Sequence, residues 1–268
     1  MKIVFDLIVY HADCPDGVCA AWVASKCSPS AQLLAAKYGD APPDCRGLRV
    51  LVVDFSYPRS QLLEMQAEAV HLQVLDHHKS AAEALAGLPF CTFDMNHSGA
   101  RLAWDYFHPG EAPPWMVDYV EDRDLWRWAL PYSREVSAVL QSYHMTIETF
   151  ENFSMKNSLA GDLLGVQRDG RAILRYQQRL VESAVKHARE ETIGGVLVPC
   201  VESTVLKSEI GEALSEGKPF AAIWSENEKG ERVYSLRSRP DGLDVSEIAT
   251  KYPGGGGHPR AAGFTRPH

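Results

Sequence analysis

Short apolar runs alternate with stretches whose apolar positions recur every three or four residues, a cadence that predicts parallel strands joined by helical crossovers. The runs Lys2–Tyr10, Leu48–Val53, His71–Leu75 and Phe90–Phe93 predict strands, and Gly17–Lys26, Ser60–Val70 and Ser98–Phe107 predict helices. A loop rich in Pro and Gly, His108–Pro114, precedes another helix that begins near Trp115. From Asp162 to Glu191 the pattern predicts one long amphipathic helix, with Ile173, Leu174, Leu180, Val181 and Val185 among its apolar positions. Beyond it, Gly194–Val201, Phe220–Ser225 and Arg232–Arg237 predict strands, the last two joined by a turn at Asn227–Gly230. The expected fold is therefore α/β: an N-terminal parallel-sheet domain over residues 1–160, a linker helix over 161–191, and a smaller C-terminal α/β domain over 192–268.

A chain of 268 residues with 45% hydrophobic and 23% charged residues can bury a sizeable core, which excludes wholesale disorder and collagen-like repeats. Its 27 basic and 35 acidic residues leave a net charge of −8. Such a surface lacks the broad cationic face that attracts a long duplex through counterion release, so a nucleic-acid partner should be short or held at one local basic site. No stretch reaches membrane-spanning length, and Asp6 interrupts an N-terminal run already too short for a signal peptide. A cytoplasmic protein is expected, with its six cysteines reduced, since none forms a C-x-x-C pair.

Acidic and histidine residues follow the apolar runs, where the carboxyl ends of parallel strands open a binding crevice. His11, Asp13 and Asp16 follow the first run, Asp54 the second, and Asp76-His77-His78 the third, while Asp122 and Asp124 come after the helix that begins near Trp115. Any one of them alone reads as a turn former or helix cap, and Asp13 and Asp16 could cap the helix at Gly17. Together they predict a cluster of carboxylates that repel one another unless a cation intervenes. Oxygen ligands with a minority of imidazoles suit Mn²⁺ or Mg²⁺ better than structural zinc. An excess of ligands over one ion's needs suggests two ions about 3.5–4 Å apart sharing a carboxylate, as used for in-line displacement at phosphorus.

With these motifs the sequence resembles the DHH phosphoesterases, named for the triplet Asp76-His77-His78. The first motif is similar to His11-Ala12-Asp13-Cys14-Pro15-Asp16-Gly17, the second is Asp54 after Val50–Val53, and the fourth is Asp122 or Asp124. The run Gly254–Phe264 resembles the glycine-rich signature of the DHH-associated domain of RecJ-like and nanoRNase-type members. The resemblance implies two Mn²⁺ ions, with Mg²⁺ as the alternative: His11 and Asp13 on one, Asp16, His77 and Asp122 on the other, and Asp54 between them. It makes Asp76 a buttress for an imidazole and His78 a donor to a substrate phosphate oxygen. One departure is an extra residue between Asp13 and Asp16 relative to the tighter Asp-x-Asp spacing. A second is that Asp122 and Asp124 compete for one role, with Asp122 favoured.

Gly255, Gly256 and Gly257 read as a loop opening into a helix-like Arg260-Ala261-Ala262, with His258 and Arg260 beside it to grip an anion. Arg237, at a strand end, is the expected phosphate or base clamp. Ser98 reads equally as an N-cap and as a ligand contact beside Asn96, His97 and Arg101, whereas Trp126 and Trp128 are expected in the core. The expected activity is metal-dependent hydrolysis of short single-stranded oligonucleotides, dinucleotides or bisphosphate nucleotides to mononucleotides, without long-duplex or membrane partners and with a homodimer left open. The alternatives are an inorganic pyrophosphatase or exopolyphosphatase and a catalytically silent nucleotide-binding module.

Overall fold

The computed structural model describes residues 3–155 and 163–266. The chain divides into two compact units, one of Met1–His78 and Ala82–Leu174, the other of Lys79–Ala81 and Arg175–His268. In chain order the elements up to the long helix are β1 (Leu7–His11), α1 (Pro15–Cys27), β2 (Gln32–Ala36), β3 (Arg49–Val53), α2 (Arg59–Glu68), β4 (His71–Asp76), α3 (Lys79–Ala84), β5 (Cys91–Phe93), α4 (Gly99–Phe107), α5 (Trp115–Asp124), α6 (Ser133–Gln141), α7 (Ile147–Met155) and α8 (Leu163–Val185). The expected start of the long helix at Asp162, the 160/161 boundary and the strand start at Lys2 lie outside the described residues.

The first unit is built on a five-stranded sheet in the order β2-β1-β3-β4-β5, parallel throughout. A parallel sheet covered on both faces needs continuous apolar strands, and β3 supplies Val50, Leu51, Val52 and Val53, all fully buried. Burial of side chains of this size contributes about 1.5–3 kcal/mol each. Helix α1 packs Val18, Ala21, Trp22 and Val23 into the same core, joined by Ala100, Ala103 and Phe107 of α4. The order reverses between β1 and β3, so the crevice beyond their carboxyl ends is the topological switch point where ligands bind in such sheets.

The second unit carries β6 (Arg189–Ile193), β7 (Val196–Glu202), α9 (Lys207–Leu214), β8 (Ala221–Glu226), β9 (Arg232–Arg237), α10 (Val245–Ala249), β10 (Gly256–His258) and β11 (Ala261–Arg266). Its six strands run β10-β11-β9-β8-β7-β6, antiparallel except for the β7–β8 pair. The long helix stops at Val185, short of the expected Glu191, because the polar stretch read as its tail pairs with β7 as strand β6. No described helix is long and apolar enough to cross a membrane.

Candidate metal centre

Strand register brings the first candidates together. Tyr10 pairs with Val53 and Val53 with Leu75, so one more step lines up His11, Asp54 and Asp76 across three neighbouring strand ends. Asp54 then leaves the strand in a left-handed conformation, φ 54°, while its N–H donates to the Leu75 carbonyl at 2.9 Å. The residue is only 1% exposed. Its Oδ1 lies 3.1 Å from His77 Nε2 and its Oδ2 3.5 Å from His11 Nδ1. The same His77 nitrogen is 3.6 Å from Asp16 Oδ2 and 3.6 Å from Asp124 Oδ2. Three carboxylates thus surround one imidazole.

Each of these groups is held from behind. Asp16, in the first turn of α1, accepts the backbone N–H groups of Gly99 at 2.6 Å and Ala100 at 2.8 Å, so its charge sits at the positive end of α4. Gly17 packs so closely on the His11 carbonyl and Cβ that any side chain there would clash. Asp76 Oδ1 accepts the His77 N–H at 2.7 Å, the His78 N–H at 3.2 Å and the His78 imidazole Nδ1 at 2.7 Å, while Ser56 Oγ donates to Oδ2 at 2.6 Å. This network fixes the His78 ring.

Burial works against the charge on Asp16, and the neighbouring Asp54 and Asp124 add repulsion, so its carboxyl rises well above the usual range. Burial also raises Asp124, against the pull of His77. At Asp54 burial is outweighed by the His11 and His77 imidazoles, which hold it well below that range. The His77 imidazole is itself pushed far up by Asp54, Asp124 and Asp16 despite its burial. One imidazolium therefore offsets several buried carboxylates.

The donor set fits divalent cations. Asp54 Oδ2 and His11 Nδ1 are buried without a hydrogen-bond partner. Ligand atoms of Asp16, Asp54 and His77 lie within 4.8 Å of one another, as do those of His11, Cys14 and Asp54 and those of Asp54, Asp76 and His78. Asp54 belongs to all three sets, the position a bridging carboxylate would take.

Four of the expected ligands, His11, Asp16, Asp54 and His77, meet here; Asp13 and Asp122 do not. Asp13 adopts φ 55°, its side chain is 80% exposed, and it pairs with Lys37 Nζ at 2.6 Å. Asp122 points into the fold, where its carboxylate accepts Ala129 N–H at 2.9 Å, Leu130 N–H at 3.4 Å and the Ser133 hydroxyl. At about 100° per residue, positions 122 and 124 of α5 face roughly opposite ways, and Asp124 takes the place beside His77. Replacing Asp122 with Ala should cost about 2 kcal/mol of stability by stranding those donors. Asp124→Ala should leave the denaturation midpoint within error and lower metal uptake. Urea titration with metal analysis of both variants checks the pair, and equal loss of stability would refute the division.

Ser98 caps α4, accepting Arg101 N–H at 3.2 Å, and with no exposed surface it offers nothing to a ligand. Arg101 bonds Asp105, and His97 meets Glu121. Trp126 and Trp128 are half-buried outside the core rather than within it, edge to face at 4.9 Å, because both take left-handed backbone conformations in the loop that wraps Asp122. The sequence reading missed Cys14, Ser56 and Gly99, the last because nothing local signals that α4 starts against Asp54.

In the second unit, Arg237 ends β9; its guanidinium donates to Ser208 Oγ at 3.0 and 3.3 Å and to the Leu236 carbonyl at 2.9 Å. The expected helix-like opening at Arg260-Ala261-Ala262 is instead a hairpin, with Gly256 opposite Gly263, Gly257 opposite Ala262 and His258 opposite Ala261. Period-two burial overrides the helix preference of alanine: Ala262 and Phe264 face the core, and the Phe264 ring stacks on Tyr252 at 3.8 Å. Gly257 takes φ 137°, open only to glycine, while Arg260 is exposed and His258 half-buried.

No protein-family model matches the chain. An uncharacterized protein of Acanthamoeba polyphaga mimivirus is 30% identical over 229 residues, which make up 82% of this chain and 53% of the relative. Oligoribonuclease NrnB of Bacillus subtilis is 24% identical over 208 residues, 72% of this chain and 52% of that protein. The chain spans about half the length of these curated relatives. Among solved structures, RecJ of Thermus thermophilus in complex with Mn²⁺ has a TM-score of 0.55 at 13% identity, covering 97% of this chain and 49% of that one. The DHH domain of a member of the s1p family of ribosomal proteins has a TM-score of 0.54 at 13% identity, covering 96% of this chain and 81% of that one. The chain has the DHH fold. The DHH triplet itself closes β4, and the sheet order places it beside the Asp54 strand end. A further DHH-fold neighbour, the pGpG-specific phosphodiesterase PggH of Vibrio cholerae, has a TM-score of 0.50 at 14% identity, covering 97% of this chain and 92% of that one.

Proposed function

We propose that this protein is a divalent-metal-dependent phosphoesterase that hydrolyses short oligonucleotides, linear dinucleotides or bisphosphate nucleotides to mononucleotides. The observation that carries the reading is Asp54, a fully buried carboxylate shared by three donor sets within the first unit. His11 and Asp54 would hold one ion, and Asp16, His77 and Asp124 the other, with Asp54 common to both. Such ions, Mn²⁺ in this reading with Mg²⁺ as the alternative, supply Lewis-acid charge to a phosphoryl group and activate water. Asp76 orients the His78 ring through Nδ1 so that it can donate to a phosphate oxygen. Asp16, Asp54 and His77 are buried at the switch point, where charges act more strongly than they do in bulk water.

Arg237, Gly255, Gly256, Gly257, His258 and Arg260 are our candidates for gripping the rest of the substrate. A net charge of −8 favours a short substrate over a long track. The names of two relatives, an oligoribonuclease and a pGpG-specific phosphodiesterase, support that class. A product time course in Mn²⁺ over pNpN dinucleotides, longer single strands, pAp and pyrophosphate tests it. Dinucleotides or pAp should be cleaved fastest; cleavage of pyrophosphate alone, or no turnover at all, would overturn the reading. Arg237→Ala should raise KM about tenfold or more with kcat nearly kept, the mark of lost binding in both ground and transition states.

A further inference from the structure

We propose that Cys14 is a metal ligand of this centre, in the place that sequence spacing gives to Asp13, and that its sulfur biases the site toward softer divalent ions than manganese. The inference rests on the reading of the cluster as a metal centre and names one more of its donors.

Asp13 and Cys14 differ in backbone conformation: Asp13 has φ 55°, whereas Cys14 is extended at φ −117° and ψ 125°. That reversal sends the Asp13 carboxylate to Lys37 and solvent, while Cys14 Sγ comes within 4.8 Å of ligand atoms of His11 and Asp54. Cys14 is the N-cap residue of α1, a position where a sulfur is a weak hydrogen-bond acceptor compared with the oxygen of Ser, Thr or Asp. The second, independent sign is the pair it faces. Asp54 Oδ2, on a residue 1% exposed, and His11 Nδ1 both lack a hydrogen-bond partner. They stand 3.5 Å apart, as two ligand atoms of one ion can.

A thiol joins such a site by losing its S–H proton to solvent and giving the freed electron pair to the ion. A sulfur–imidazole–carboxylate set suits zinc, iron(II) or cobalt(II), whereas oxygen-rich sets suit manganese and magnesium. This position would therefore prefer a softer ion than the site around Asp16, whose donors are oxygen and imidazole only.

Cobalt(II) tests the assignment without any turnover. The metal-free full chain is titrated with Co²⁺ while near-ultraviolet absorbance and bound cobalt are measured together. Wild type should gain a thiolate-to-cobalt charge-transfer band; Cys14→Ser should lose it while still binding cobalt through the remaining ligands. Cys27→Ser, which changes another half-buried cysteine at the far end of α1, should keep it. Competition dialysis of Cys14→Asp should shift the zinc-to-manganese ratio toward manganese. Bound cobalt without the band, or a band that survives Cys14→Ser, overturns the role of Cys14 and leaves the metal centre standing. Failure of wild type to take up cobalt overturns both.

Discussion

Asp54→Asn should reduce phosphoester turnover by about 10²–10³-fold or more while the metal-free chain still folds, with at most a modest loss of stability. Asparagine fits the same space and tolerates the left-handed backbone at φ 54°, so the strand end keeps its shape. What it removes is the one carboxylate common to all three donor sets. In the metal-free chain that loss removes the carboxylate that the His11 and His77 imidazoles hold ionised, a cost partly offset by relief of repulsion with Asp16 and Asp124. Turnover, metal content and thermal unfolding of the metal-free variant are the three readouts. Retention of near-normal turnover would falsify the bridging role; a large drop in unfolding temperature would show the residue to be chiefly structural.

Gly99→Ala should lose both stability, by about 1–3 kcal/mol, and activity. A Cβ at this position would stand 2.5 Å from Asp54 Cβ and 2.9 Å from its Oδ1. Neither side can yield cheaply. Asp54 is tied by its N–H to the Leu75 carbonyl, and the Gly99 and Ala100 N–H groups are tied to Asp16. A one-carbon change on a helix start therefore displaces two carboxylates at once. Urea denaturation and turnover measure the two effects; a stability change under about 0.5 kcal/mol, the range of an ordinary surface substitution, would refute the tight packing.

The central strands of the first unit were legible from their apolar content: β3 carries the uninterrupted run Val50–Val53 that burial on both faces favours, and β4 carries Leu72, Val74 and Leu75 around Gln73. Strand β2, Gln-Leu-Leu-Ala-Ala at the sheet edge, escaped because its apolar run Leu33–Ala36 has no β-branched or aromatic residue to mark a strand, and only Ala36 is fully buried. Strand β6 escaped for a related reason: Arg-Glu-Glu at its start continues the polar pattern of the preceding helix, and only pairing with β7 makes it extended. At the site, residues that directly follow strands could be read from position alone, as with His77 and Asp54. Asp13 against Cys14 could not, since that choice turns on one backbone reversal, and Asp122 against Asp124 turns on which face of α5 meets the strand ends. The left-handed residues Asp13, Trp126 and Trp128 are not glycines, so no residue type in the sequence marks those reversals.

The left-handed turn at Asp54 also bears on how the protein would drift. An L-residue in that conformation costs about 1 kcal/mol that glycine would recover. Glycine there would also strip His77 of the carboxylate 3.1 Å from its Nε2 and leave a void in a buried site, losses larger than the backbone gain, so selection for heat resistance alone should keep aspartate at position 54.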